Sequence, residues 1–103
     1  MAQATQIYGE VENKSDLKEI FTKIRGDVDE ARSREGLTEL YRRAGYLITL
    51  TYAPSWEEKF GREAAELREA SQKEFATTVR AINRRAEEIG TDADYDEKWG
   101  KEK

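Results

Sequence analysis

Carboxylates are the groups in this chain most able to do chemistry. Glu63 and Glu66 stand one helical turn apart, in a run that also holds Glu57, Glu58 and Glu69. A Glu-x-x-Glu pair supplies hard oxygen ligands that can hold magnesium while the phosphates of a nucleotide complete the shell. Such a centre needs a second carboxylate pair facing the first, and Asp27 with Glu30 is the convenient candidate. Asp92, Asp94 and Asp96 alternate like the first three ligands of a calcium loop. Glu97 and Lys103, however, stand where that loop requires Gly and Glu. The same glutamates have a plainer use. Glu58 with Arg62 and Glu69 with Lys73 are favourable i, i+4 pairs on a wet helix face. The chain has no His and no Cys, which removes the commonest metal ligand, the usual neutral-pH general base and all thiolate chemistry. No metal and no cofactor are expected, with Glu63 and Glu66 weak metal candidates.

Cations form the second constellation. Lys73, Arg80 and Arg84 share one face of a helix, turned away from its apolar seam. Arg42 and Arg43 make a second basic pair. Arginines so spaced can meet phosphates, with Thr77 and Asn83 nearby as polar contacts. A helix near its C-terminal end also favours cations such as Arg80, Arg84 and Arg85 for its own sake. The net charge of −4 weighs against nucleic acid as an obligate partner.

The element that must carry both constellations is a long helix predicted over about 55–90. Ser55 is its expected N-cap, with Glu58 in the capping-box position, and Gly90 its expected stop. Trp56, Phe60, Ala64, Leu67, Ser71, Phe75, Thr78, Ile82, Ala86 and Ile89 follow at steps of four, four and three. That eleven-residue repeat keeps an apolar seam on one face of a nearly straight rod, roughly 50 Å long. Gly61 is its weak point and marks a candidate bend.

Two shorter helices are expected to pack along the rod as a hairpin. The first spans about 16–34, capped by Ser15, with a stripe of Leu17, Ile20, Phe21, Ile24, Val28 and Ala31; Gly26 falls on its exposed side. Ser33 to Gly36 is the expected turn. The second helix spans about 38–53 and is apolar on two faces: Leu37, Leu40, Tyr41, Ala44, Ile48 and Thr51 on one, Tyr46, Leu50 and Ala53 on the other. A strand over 46–52 is the competing assignment, since Ile, Thr and Tyr favour pleated structure, but a lone strand has no partner. Residues 1–14 read as an irregular arm in which Ile7, Tyr8 and Val11 can dock on the body. Residues 91–103 read as an acidic tail, with Tyr95 and Trp99 spaced to form one aromatic turn.

At 103 residues, with a single Pro, the chain is expected to be one all-α domain, a three-helix bundle. No charged-then-apolar leader and no apolar run of membrane-spanning length stand in the sequence, so a cytoplasmic protein with no membrane role is the expectation. A helix with two apolar faces beside so long a seam suggests a homodimer with Tyr46, Leu50, Ala53, Trp56 and Phe60 at the interface. The favoured function is a small non-enzymatic interaction or regulatory module, acting through self-association and a protein partner. The alternatives are nucleic-acid binding by the basic stripe and a carboxylate–metal nucleotide hydrolase.

Overall fold

The structure, a computed structural model, describes residues 4–91 and residue 95. Every regular element among them is helical: α1 (Ala4–Tyr8), α2 (Lys14–Glu30), α3 (Arg34–Leu50), α4 (Pro54–Phe60), a 3₁₀ turn (Gly61–Glu63) and α5 (Ala64–Glu88). The strand alternative over 46–52 is overturned, because Tyr46 to Leu50 close the last turns of α3.

Side-chain caps open α2 and α3, and the helix ends differ in places from those the sequence suggests. Asn13, not Ser15, caps α2: its Oδ1 accepts from the Asp16 N–H at 2.9 Å, and Asp16 Oδ2 accepts from the Glu12 N–H, one residue before the cap, at 3.0 Å. The two bonds satisfy one donor of the first turn and one just ahead of it. Ser33 caps α3 by accepting from the Gly36 N–H at 3.1 Å, so the expected turn at 33–36 is the first turn of a helix. The true connection is the shorter stretch from Ala31 to Ser33. At the far end Gly90 takes φ +73°, and the Thr91 N–H reaches back to the Ala86 carbonyl at 2.9 Å, closing α5 with a left-handed stop as expected.

The principal correction concerns the rod. Residues 54–88 do not run straight: α4 ends at Phe60, Gly61 takes φ 55° and ψ −120°, and α5 begins after one 3₁₀ turn. Pro54 opens α4 behind Ala53, so Ser55 lies inside the first turn and is not its cap. The bend folds the apolar seam back on the body instead of leaving an overhang. Trp56, Ala64, Leu67, Ser71, Phe75, Thr78, Ile82 and Ala86 are all buried in the chain's own core. The longest dimension of the molecule is accordingly 43 Å.

Around α5 the helices form an up-down-up bundle. Lys14 pairs with Glu66, Arg25 bonds Thr78, and Arg85 bonds the Ala31 carbonyl, so α2 runs parallel to α5. Thr51 meets Arg68 and Ser71 while Tyr41 packs on Phe75, so α3 runs antiparallel. Leu17, Phe21, Ile24 and Val28 from α2, Leu37, Leu47 and Ile48 from α3, and Phe75, Val79 and Ile82 from α5 are sealed from solvent. Each such side chain contributes about 1.5–3 kcal/mol by burial.

The arm is not irregular throughout. Ala4–Tyr8 coil into α1, which packs against α3 and α2, and Ala4 and Val11 are buried. The second apolar face of α3 is thus covered in part by the chain's own N-terminus. Leu47, absent from either expected face, is fully enclosed, while Tyr46 and Leu50 are only half-buried.

Candidate functional site

The corner where α3 gives way to α4 gathers most of the residues singled out for partner contact. Leu50 ends α3, Thr51 and Tyr52 turn the chain, Ala53 precedes α4, and Pro54 fixes the entry of that helix. Tyr46 sits one turn before Leu50 on the same stripe, and both are half-exposed. Trp56 is almost wholly enclosed: only 3% of it reaches solvent, and its Nε1 donates to the Ala64 carbonyl at 3.3 Å. The Phe60 ring packs on the Trp56 ring at 4.4 Å between centroids and stays half-exposed, with Lys59 Nζ 5.4 Å from its centre.

A notch of about 180 Å³ opens beside this corner. Val11, Leu50 and Trp56 give it apolar walls; the exposed Glu10, Ser55 and Lys59 stand around it. Lys59 is fixed there because its Nζ donates to the Val11 carbonyl at 2.8 Å, tying α4 to the segment after α1. The behaviour of Lys59 is repeated elsewhere. Arg68 Nε donates to the Thr51 carbonyl at 2.8 Å, closing the end of α3, and its guanidinium lies 5.2 Å from the Tyr52 ring centre. Arg85 Nε closes the end of α2 through the Ala31 carbonyl at 2.9 Å. Arg68 and Arg85, at these two helix ends, meet the negative end of the backbone dipole and the carbonyls a helix leaves unbonded. Sequence reasoning missed all three roles, since each pairs residues distant in the chain.

The carboxylate constellation does not assemble. Glu66 lies level with Lys14 at the start of α2, bridged at 3.3 Å, whereas Asp27 is thirteen residues further along that helix, a rise of about 20 Å. Asp27 is engaged in another network: its Oδ2 accepts from the Tyr8 hydroxyl, and Arg43 Nη1 donates to the same hydroxyl at 3.0 Å and lies 3.8 Å from Asp27. Arg43 Nε also bonds Glu39 at 3.3 Å. Burial and the hydrogen bond to the Asp27 carboxylate push the Tyr8 phenol up to about 12. This network locks α1, α2 and α3 together. Glu63 closes the 3₁₀ turn on the exposed surface. Among the described residues no group of three or more acidic side chains converges as a metal centre.

A cleft of about 340 Å³ lies between α2 and α5, lined by Lys14 and Lys18 from α2 and by Glu66, Glu69, Lys73 and Glu74 from α5. Its opposite charges sit side by side. Glu74 is bound to the body by Arg25, whose Nη1 stands 3.0 Å from Oε1, off the line of its N–H; the attraction is that of an ion pair rather than a directed bond. The basic stripe is on the surface. Lys73, Arg80 and Arg84 are exposed on α5, and Lys73 pairs with Glu69 at 3.6 Å. Tyr95 docks between α3 and α5, stacked on Tyr41 at 4.6 Å. Trp99 and the Asp92, Asp94 and Asp96 series lie outside the described residues.

No helix among the described residues is long and apolar enough to cross a membrane. Comparison of the chain with protein-family models, with curated proteins and with solved structures finds no match.

Proposed function

We propose that this chain is a small helical interaction module that docks a protein partner, including a second copy of itself, at the α3–α4 corner. One observation carries the proposal: an apolar notch walled by Val11, Leu50 and Trp56, at a corner whose helices also leave Tyr46 and Phe60 half-exposed. A pocket for one apolar side chain, with aromatic neighbours and a polar rim, has the anatomy of a binding hot spot. The elements around it are stiff, because Pro54, the Lys59–Val11 bond and the Arg68–Thr51 bond hold the corner from three sides. A preformed notch loses little ordering entropy when a partner arrives.

Sedimentation equilibrium over the micromolar range tests the self-association arm. The expected result is a reversible monomer–dimer equilibrium, weakened at least about tenfold, or 1.4 kcal/mol, by Leu50→Lys. A wild-type chain that sediments as a monomer throughout that range rules this arm out. Partner docking is tested with a library of short displayed peptides. Enrichment of one apolar anchor residue, lost on Leu50→Lys, is expected; peptides that bind both forms equally refute the notch as the site.

A further inference from the structure

We propose that Gly61 is the hinge of a domain exchange, through which two copies of this chain swap their first sixty residues. In the exchanged form α4, the 3₁₀ turn and α5 straighten into one helix. The part of each chain before the hinge then packs on the α5 of the partner copy.

Three observations lead here. First, the helical seam does not notice the bend: Trp56, Phe60, Ala64 and Leu67 keep the four-four-three spacing straight across Gly61. The intervening Glu57, Glu58, Lys59, Arg62, Glu63 and Ala65 are mostly strong helix formers. Local sequence and observed backbone therefore disagree at one residue. Secondly, the bend depends on a conformation closed to ordinary residues. Gly61 at φ 55° and ψ −120° lies where an L side chain is strained. Nothing lies within 4 Å of the position its Cβ would take, so a substitution there meets backbone strain and not a clash. Thirdly, contacts between the parts on either side of the hinge can be remade between copies. They include the Lys14–Glu66 bridge, the Arg25–Thr78 bond and the burial of Trp56 over Ala64. Trp56 Nε1 reaches the Ala64 carbonyl only because the chain bends, since eight residues of straight helix span about 12 Å. Exchange preserves such contacts, gains the helical hydrogen bonds missing around the turn and relieves the glycine-only backbone. A short strained hinge between two well-packed parts is the setting in which exchange costs least.

This exchange does not depend on the corner surface proposed above, and its test separates the two. Gly61→Ala strains the bend and favours the straight helix at once. Heavy- and light-isotope preparations of Gly61→Ala are unfolded together, refolded at high concentration and fractionated by size. The dimer is then treated with a carbodiimide to join Lys14 to Glu66. The expected outcome is a dimer that survives Leu50→Lys, exchanges subunits only as slowly as it unfolds, and yields mixed heavy–light Lys14–Glu66 peptides. A monomer overturns the exchange. So does a dimer whose cross-links are heavy–heavy and light–light only, even if it vindicates the corner surface. If Gly61→Ala does not fold, the same protocol is run on the wild-type chain, warmed to its unfolding midpoint and cooled at high concentration. Mixed cross-links support the hinge there, and their absence refutes it.

Discussion

The side-chain amide of Asn83 brackets the backbone of Tyr95, accepting from its N–H at 2.8 Å and donating to its carbonyl at 3.1 Å. Asn83 lies on α5, so the helix itself grips the chain beyond its own stop at Gly90. The Tyr95 ring then stacks on Tyr41, and its hydroxyl bonds Thr38. One residue thereby ties the segment after α5 to α3.

Asn83→Ala removes both arms of that clasp. A loss of about 1–2 kcal/mol is expected, from two hydrogen bonds of ordinary net strength. Hydrogen exchange at the Tyr95 amide should accelerate at least about tenfold, while amides in the middle of α2 slow or quicken only with global stability. Unchanged protection at Tyr95 would show that ring stacking alone holds the segment.

Tyr8 makes stability fall in alkali. Its phenol is raised to about 12 in the folded chain, first by burial and then by the bond to Asp27, against an ordinary value of 10.0. A raised value means that the folded state holds its proton more tightly. The contribution is therefore complete below pH of about 10 and is lost as pH climbs toward about 12. Tyr8→Phe should lower stability at neutral pH and flatten its decline over that alkaline interval, as followed by urea unfolding. An equally steep decline in Tyr8→Phe would place the titration elsewhere.

Arg68 acts through the carbonyl it closes rather than through its ion pair. The Thr51 carbonyl accepts from it at 2.8 Å, while Glu57, its acidic partner at 3.4 Å, is 67% exposed at the side chain. Arg68→Ala should cost about 1–2 kcal/mol, whereas Glu57→Gln should stay within about 0.5 kcal/mol. Thermal unfolding of the two variants ranks them; equal losses would assign the role to charge.

Phe75 is fully buried and touches the ring of Tyr41, which carries Tyr95 in turn. Phe75→Ala should cost about 3–5 kcal/mol, a large part of the whole stability of a small domain. Near-ultraviolet circular dichroism should weaken more than the helical signal. A loss below about 1 kcal/mol would mean that the neighbours close the cavity.

Much of this was legible before any coordinate. The Leu17 to Val28 stripe, the Leu67 to Ala86 seam and the stop at Gly90 follow from helical period and from glycine's access to positive φ, both local properties. Caps were harder to place, because Asn13 and Ser15 are equally good acceptors and only the bond that Asn13 accepts from the Asp16 N–H distinguishes them. The notch was not legible. Val11 and Leu50 stand far apart in the chain and meet because α1 lies against α3.

Residue order alone determined that this chain is helical, which faces of its helices seek shelter from water, and that Gly61 is the point at which the long run can yield. Tertiary structure decided that it does yield, so that Trp56 turns into its own core, that Lys59 holds the segment after α1, and that Arg68 and Arg85 close helix ends supplied by other parts of the chain. It also decided that Asp27 serves Tyr8 and Arg43 rather than Glu66. The division has a physical cause. Period, capping and glycine's freedom act within a few residues, whereas a bend or an ion pair is settled by which surfaces the packed helices bring together.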